Sequence, residues 1–300
     1  MQTALYAPNQ DGIFRMSPEA YRKADGISKH SLDLVADCPL ALDLYRRHGS
    51  ESTELMEFGT LCHTAVLEPH LFPGSYHLRP ETYASVDKKT KAITTKEWSG
   101  NSTTCRNWVA DHKDKTVLRN DDLKRLLNIC KSVTEHPVVG PMMQQGEGVA
   151  EVSMFATCPE TGLRRKGRCD WITCADDGTW FMVDLKFVND ATERGFRRQF
   201  EDLRYFVQAA YYVDLMKLIN GVECQFIFVA VETQPMNPRS DVHRVQAYRV
   251  FTPHLDTGRA HYLRDLRRYR ECLESGQWPS DTDTIKTLGL SPWFLRQNAL

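Results

Sequence analysis

The sequence predicts an α/β or α+β fold in which helices flank one β-sheet. Two observations lead to this prediction. Apolar residues recur at helical spacing in the first half of the chain, and near residue 149 the spacing changes to that of strands. Helical segments return after the strands, and strands with helices on both sides in sequence are typical of a sheet covered by helices.

The first half of the chain contains four predicted helices. Residues 28–47 begin with Ser28, a residue type that caps helices, and Pro39 divides the segment into two short helices. Residues 56–67 and 121–134 also have helical spacing. This part of the chain is therefore expected to pack as helices beside the sheet.

One domain is predicted for the whole chain, 1–300. The polar segment 85–115 is rich in lysine and turn residues, and we interpret it as a mobile loop rather than a domain boundary. A mainly helical part is expected over 1–140, a core with the sheet over 145–275, and a tail over 276–300.

The predicted sheet begins with a three-stranded antiparallel meander. Its strands are residues 149–156, 163–174 and 179–187, separated by short turns that contain glycine. The remaining predicted elements are a helix over 200–219, strands over 224–232 and 244–251, and a helix over 254–274.

Composition narrows the class of protein. The 300 residues are 41% hydrophobic and 26% charged, as in globular proteins, and the net charge of −1 means that a nucleic-acid surface has to be a local patch. The nine cysteines include no C-x-x-C pair, so we expect reduced packing thiols and no zinc or iron–sulfur site. The longest apolar run, Phe226–Val231, is too short to cross a bilayer, and a cytoplasmic protein is expected.

The most informative stretch is MVDLKF, residues 182–187. Side chains alternate along a strand, so Asp184 and Lys186 lie on one face and the apolar residues lie on the other. Glu151, Asp170 and Asp184 fall on three successive predicted strands, where carboxylates can converge. Converging acids need a cation, and oxygen ligands suit Mg²⁺, for which Mn²⁺ can substitute.

Two helical pairs fit the same pocket. Gly59 and His63 share a helix face, as do Gln208 and Tyr212, because each pair is spaced i, i+4. The glycine would permit close packing, the histidine would reach the acids, and the amide could hold a phosphate. Each residue also has an ordinary interpretation, since a lone histidine is more often a core or surface residue than a ligand.

Taken in order, these short motifs resemble the PD-(D/E)-x-K nuclease superfamily in its RecB-like branch, and more closely the nuclease domain of RecE-type exonucleases (exodeoxyribonuclease VIII). The resemblance extends from about Gly26 to Trp293. It rests on GISKHSLDLVADCP (26–39), FGTLCHTAVLEP (58–69), GRCDWI (167–172), VDLKF (183–187), YFVQAAYYVDL (205–215) and WPSDTDTIKTLGLSPW (278–293). Two departures are Cys169 where the superfamily has proline and aspartate rather than glutamate at position 184.

The resemblance implies a restriction-endonuclease-like core and a Mg²⁺-dependent exonuclease that degrades linear double-stranded DNA from its 5′ ends and leaves 3′ single strands. It further implies a ring-shaped homo-oligomer, a tetramer, that acts with a RecT-like single-strand annealing protein in phage or prophage recombination within a bacterial cell. An endonuclease or flap nuclease, a catalytically silent DNA-binding module and a hydrolase of small phosphoesters remain alternatives.

The candidate residues then take defined roles. Asp170, Asp184 and the Leu185 carbonyl are expected to hold the main metal ion, and Glu151 that ion or a neighbouring one. His63 would bind a second ion or contact a phosphate, Lys186 would activate water, and Gln208 would position the substrate. DNA contacts are expected from Gln208, Tyr212, Arg164, Arg165 and Lys166, although those basic residues could instead form a solvated strand face. Two further basic clusters contain Arg194, Arg197, Arg198 and Arg204, and Arg264, Arg267, Arg268 and Arg270. Whether Ser28 and Lys29 contact DNA or only cap a helix is left open.

Overall fold

The computed structural model describes residues 10–87, 89–144, 148–280, 282, 285–290 and 292–297. The helices are α1 (Pro18–Lys23), α2 (Lys29–Asp37), α3 (Pro39–His48), α4 (Glu54–Leu67), α5 (Thr103–Asp111), α6 (Asn120–Thr134), α7 (Val139–Met142), α8 (Glu193–Asp202), α9 (Tyr205–Asn220), α10 (Thr252–Ser275) and α11 (Pro292–Gln297). The strands are β1 (Gly12–Phe14), β2 (Tyr76–Leu78), β3 (Thr82–Val86), β4 (Ile93–Glu97), β5 (Thr116–Leu118), β6 (Gly148–Thr157), β7 (Arg164–Cys174), β8 (Trp180–Val188), β9 (Cys224–Pro235) and β10 (His243–Arg249).

A mixed six-stranded sheet forms the centre, in the order β1-β6-β7-β8-β9-β10. All neighbours are antiparallel except β8 and β9, which are parallel and are connected through α8 and α9. The predicted fold class, helices around one mixed sheet, is confirmed, as is the antiparallel meander β6-β7-β8. Two small two-stranded sheets, β2-β5 and β3-β4, lie outside the central one.

The sheet is covered by helices on both faces, and β8 shows how its sequence produces this. Met182 belongs to the core cluster that contains residues of α2, α9 and α10, whereas Val183 and Leu185 belong to the cluster that contains residues of α4 and α6. Because side chains alternate along a strand, Asp184 and Lys186 face the α9 side. The two polar residues therefore lie at the sheet surface beneath a helix.

Segment 85–115 has more regular structure than predicted. It contains part of the hairpin β3-β4 and the helix α5, and the hairpin turn is held by Asp87, whose carboxylate accepts the backbone N–H groups of Lys89 and Thr90. Every residue of β4 is exposed, so this strand lacks the apolar alternation that identifies strands in sequence.

The helix predicted over 200–219 is two helices, because the chain turns at Arg204. This residue has a φ of 54°, a left-handed conformation that is uncommon for a residue with a side chain. Its guanidinium forms ion pairs with Asp33 and Asp265, which ties the turn to α2 and α10. Distant partners of this kind leave no local sequence signal.

Some predictions concern parts of the chain outside the described residues. Lys88 in the predicted loop and Asp281, Asp283, Thr284 and Ser291 in the tail motif are among them. Among the helices that the structure describes, none combines the length and apolar character needed to span a membrane.

Two helical glycines have opposite surroundings. A Cβ atom added at Gly258 on α10 would lie 2.3 Å from the Phe206 carbonyl oxygen on α9 and 2.8 Å from Cβ of Ala210, whereas one added at Gly59 on α4 would have no heavy atom within 4 Å. Gly258 is therefore required for the close approach of α9 and α10. The prediction that Gly59 permits close packing is wrong, because its Cα faces open space.

We expect Gly258→Ala to lower the free energy of unfolding by about 1–3 kcal/mol through overpacking. The matched Gly59→Ala variant should raise it by about 0.5–1 kcal/mol, since alanine is the better helix former. Urea unfolding followed by circular dichroism measures both changes. Equal effects of the two substitutions would contradict the close helix contact.

Candidate active site

The strands β7 and β8 separate at two acids of the predicted motif, Asp170 and Asp184. Their ladder runs from Cys174 opposite Trp180 to Trp171 opposite Val183, and the two acids follow immediately after its end. Oδ2 of Asp170 accepts the backbone N–H of Leu185 at 2.7 Å. In a continuous ladder this N–H would donate to a backbone carbonyl instead of a side chain. The two carboxylates lie near each other at this opening, close enough for the charge of Asp184 to raise the pKa of Asp170.

Glu151 on β6 lies beside this opening in an unusual backbone conformation. Its φ is 54°, and the ladder to β7 passes from Ala150 opposite Trp171 to Val152 opposite Cys169. Non-glycine residues in the left-handed region cost about 1–2 kcal/mol and are concentrated at functional sites. The Glu151 carboxylate also forms an ion pair with Arg168, a partner on the neighbouring strand.

His63 reaches the acids from α4, the helix on the opposite face of the sheet. Its Nδ1 lies 3.4 Å from Oδ2 of Asp170, and its ring meets the Phe187 ring edge-on at 5.1 Å between centroids. One ligand atom each of His63, Glu151 and Asp170 lie within 4.8 Å of one another. Among the residues that the structure describes, this group has the arrangement of a metal site.

Asp184 lies next to this group but has a different set of partners. The Lys186 ammonium is 2.5 Å from Oδ1 of Asp184, and the Gln208 amide from α9 donates to Oδ2. The Lys186 Nζ atom also lies over the rings of Tyr205, at 4.8 Å, and Phe228, at 5.7 Å. Burial lowers the pKa of Lys186, but Asp184 and Asp170 together outweigh it, so the net pKa is raised.

A divalent cation fits this set of donors. Burial raises the pKa of Asp170 well above its usual range, and the charges of Asp184 and Glu151 raise it further, so the carboxylates repel one another. Burial lowers the pKa of His63, which leaves its ring neutral and able to bind a metal near neutral pH. Carboxylate oxygens suit Mg²⁺ or Mn²⁺, and an ion here would relieve the repulsion.

Comparison with protein families identifies the family to which the chain belongs. The profile of one family, described as a PDDEXK-like domain of unknown function (DUF3799), matches residues 33–289. The chain belongs to the DUF3799 family. The family is named for the same superfamily of folds that the sequence motifs indicate, so the superfamily part of the resemblance is confirmed.

One solved structure shares the fold of this DUF3799 chain at low sequence identity. A crystal structure of a protein from Eubacterium rectale, described provisionally as an exonuclease, has a TM-score of 0.58 and 13% identity, and the match covers 95% of this chain and 99% of that one. The crystal structure of SSO0001 is more distant, with a TM-score of 0.36, 12% identity and coverage of 87% and 82%. No curated protein matches the sequence.

The basic residues predicted to contact DNA from β7 have other partners in this DUF3799 domain. Lys166 donates to the carbonyls of Tyr21, Arg22 and Ala24, and Arg165 is only 1% exposed. Arg164 lies over the Phe155 ring and donates to the Gln10 carbonyl. Lys166 and Arg164 therefore donate to carbonyls within the fold, Arg165 is buried, and none of the three is seen beside the acids. Substrate contacts from these residues stay a prediction.

The other predicted residues lie close to the acids or support them. Tyr212 is half-buried on α9 and contacts the position of Gly167, where an added Cβ would lie 3.1 Å from its ring. Burial raises the pKa of Tyr212, with a smaller contribution from Asp184, so the phenol is neutral. Leu185 contributes its N–H to Asp170, and a metal contact from its carbonyl stays a prediction.

Ser28 and Lys29 both contact other groups of the protein itself. The Ser28 hydroxyl accepts the backbone N–H of Ser31 as a helix cap. Lys29 forms an ion pair with Asp33 at 2.6 Å and donates to the Leu203 carbonyl. Ser28 therefore caps the helix, and a DNA contact from either residue stays open. Tyr205, which packs on Lys186, was missed because an aromatic residue in a helix gives no signal beyond packing.

Gln208 is expected to be important for both stability and activity. It is 7% exposed and donates to Asp184, so Gln208→Leu leaves a buried carboxylate oxygen without its donor. We expect a loss of about 1–3 kcal/mol in the free energy of unfolding. The exposed Gln246 provides a control, since Gln246→Leu should change it by less than about 0.5 kcal/mol. Equal stability of the two variants in urea unfolding would rule out this role.

Proposed function

We propose that this protein is a Mg²⁺-dependent exonuclease that acts on the ends of linear double-stranded DNA. Degradation would run from 5′ to 3′ and leave 3′ single strands for recombination by annealing. One observation supports the nuclease class most strongly. At the point where β7 and β8 separate, a carboxylate and histidine group adjoins an Asp184–Lys186 pair, within a PDDEXK-like fold.

The proposed mechanism is metal-assisted hydrolysis of a phosphodiester. Asp170, Glu151 and the neutral His63 would hold the ion, with Asp184 beside them. When bound, a divalent ion activates water and stabilises the charge that develops on the phosphate. Lys186 is protonated because its pKa is raised, so its ammonium is suited to donate to the attacking water or a phosphate oxygen. Gln208 fixes the orientation of Asp184.

DNA contacts are better assigned to α8 than to the last helix. On α10, Arg264, Arg267 and Arg270 form ion pairs with Asp265, Glu160 and Glu274. On α8, Arg194 and Arg198 are exposed. We propose that these two arginines contact phosphates, and binding should then weaken as salt concentration rises.

The specificity for 5′ ends, the recombination role and the partners rest on the resemblance to RecE-type exonucleases. A ring-shaped tetramer and a RecT-like annealing protein belong to this proposal. Light scattering of the purified protein, with and without linear duplex DNA, would measure the number of chains per particle. A protein that stays monomeric under both conditions would contradict the ring-shaped tetramer.

The activity is tested with linear duplex DNA labelled at the 5′ or the 3′ end, beside a closed circular duplex. We expect Mg²⁺-dependent early release of the 5′ label, no change in the circle, and no reaction in EDTA. Ca²⁺ should support binding without cleavage, because it is larger and less strictly octahedral than Mg²⁺. Cutting of the circle would instead indicate an endonuclease, and no cutting in any lane would indicate a silent DNA-binding module.

A further inference from the structure

Arg165 carries a positive charge inside the protein, away from the candidate active site. Only 1% of the residue is exposed. Its Nε and Nη2 atoms have no hydrogen-bond acceptor among the residues that the structure describes. The Tyr262 hydroxyl interacts with the guanidinium, but two of the three guanidinium nitrogens lack an acceptor, which is unfavourable for a buried charge.

The surroundings of Arg165 compensate its charge only in part. The Tyr211 and Tyr262 rings lie 5.2 Å and 5.3 Å from the guanidinium carbon, which gives weak attraction to the ring faces. The adjacent carboxylate, Asp214, is already occupied. It accepts two hydrogen bonds from Arg259, each 2.7 Å long, and one from the Tyr262 hydroxyl at 2.5 Å.

Arg165 lines a cavity of about 440 Å³. Three basic side chains, Arg165, Lys217 and Arg259, and two acidic ones, Glu160 and Asp214, contribute to its wall. Lys217, Arg259 and Glu160 form ion pairs with Glu223, Asp214 and Arg267, which leaves Arg165 as the lining charge without an ion-pair partner among the described residues. Pro159, Leu218 and Leu263 make part of the wall apolar. The volume is within the range of sites for small ligands, about 300–1,000 Å³.

This cavity is separate from the metal-binding group. Arg165 and Asp170 lie on the same strand, five residues apart, which corresponds to about 16 Å along a β-strand. The cavity is lined by the C-terminal half of α9 and by α10, whereas Gln208 of the active site lies in the first half of α9. A ligand in the cavity would therefore not compete with the divalent ion.

We propose that the cavity binds the phosphate group of a small molecule, with Arg165 as its principal partner. A phosphate supplies the negative charge that Arg165 lacks and accepts hydrogen bonds from a guanidinium in its preferred fork geometry. The unpaired guanidinium of Arg165 attracts an anion, and the apolar part of the wall has room for an organic group attached to the phosphate. This inference does not depend on the proposed nuclease activity.

The test is thermal unfolding of the full chain in phosphate-free buffer with EDTA, titrated with inorganic phosphate, deoxyadenosine monophosphate or deoxyadenosine. We expect phosphate and the nucleotide to raise the Tm, by about 4 °C at concentrations near 100-fold above Kd, and the nucleoside to have no effect. A larger shift with the nucleotide than with phosphate would identify the organic group as part of the ligand. No shift with either phosphate compound would overturn the proposal.

Arg165→Met gives a signature that a structural role alone would not produce. Without ligand its Tm should equal or exceed that of the original protein, because a buried charge is replaced by an apolar side chain, and its phosphate-dependent shift should be lost. The control variants Arg106→Met, on the exposed surface, and Asp170→Asn, in the metal group, should keep the shift.

A second variant covers the case in which Arg165→Met does not fold. Leu263→Trp would fill the cavity while retaining the guanidinium, and it should also lose the phosphate-dependent shift. A retained shift in either folded variant would place the phosphate elsewhere and contradict the proposal.

Discussion

Lys186→Met is expected to reduce the rate of DNA cleavage in Mg²⁺ by at least about 100-fold, since one positively charged donor near the reacting phosphate is worth about 3 kcal/mol or more. The substitution also removes the cation 2.5 Å from the buried Asp184. Breaking a buried ion pair costs about 3 kcal/mol or more, so the metal-free variant should be less stable. A divalent ion beside Asp184 should restore part of that loss.

Two measurements distinguish catalysis from stability. The cleavage rate on linear duplex DNA is compared at a temperature where both proteins are folded, and the Tm is recorded in EDTA and in Mg²⁺. Lys124→Met serves as the control, because Lys124 is 70% exposed on α6. Unchanged cleavage by folded Lys186→Met would show that Lys186 has no role in the reaction.

Asp170→Asn is expected to abolish cleavage and, in the absence of metal, to stabilise the protein. The amide oxygen can still accept the Leu185 N–H, so the local structure should be kept. Burial and the charges of Asp184 and Glu151 raise the pKa of the Asp170 carboxyl in the folded state. The substitution removes a carboxylate that these charges repel, and with it a proposed metal ligand.

The raised pKa of Asp170 also fixes the sign of a pH effect. Its contribution to stability is fully present below about pH 4, the usual pKa of aspartate in an unfolded chain. This contribution is lost as pH rises through the higher folded-state pKa. The Tm in EDTA should therefore fall with rising pH more steeply for the original protein than for Asp170→Asn. The exposed Asp121 supplies the control Asp121→Asn.

Metal binding provides the second readout for Asp170. Mg²⁺ or Mn²⁺ should raise the Tm of the original protein at neutral pH and have little effect on Asp170→Asn. A metal-dependent shift of equal size in both proteins would show that the ion binds elsewhere, and the cluster of His63, Glu151 and Asp170 would lose its assigned role.

Strand periodicity predicted much of the fold and much of the candidate site. Alternation along β8 was sufficient to place Asp184 and Lys186 on one face and Val183 on the other, because successive side chains of a strand point to opposite faces of the sheet. The meander then determined which acids could meet. The family match supports the superfamily, and the roles of the individual residues stay predictions.

Other features had no local signal. The strand β1 is three residues long and pairs with β6 across more than a hundred residues of chain, so nothing near Gly12 indicates it. The basic run from Arg164 to Arg168 suggested a DNA-binding face, but composition does not show that Arg164 and Lys166 donate to carbonyls and that Arg168 pairs with Glu151. The sequence around Glu151 also gives no sign of its left-handed conformation or of its ion pair with Arg168.

The most direct measurement is the release of nucleotides from uniformly labelled linear duplex DNA by the original protein in Mg²⁺ and in EDTA, and by Asp170→Asn in Mg²⁺. The proposed metal-dependent nuclease centre predicts steady release only from the original protein in Mg²⁺. Release in EDTA, or undiminished release by Asp170→Asn, would contradict it.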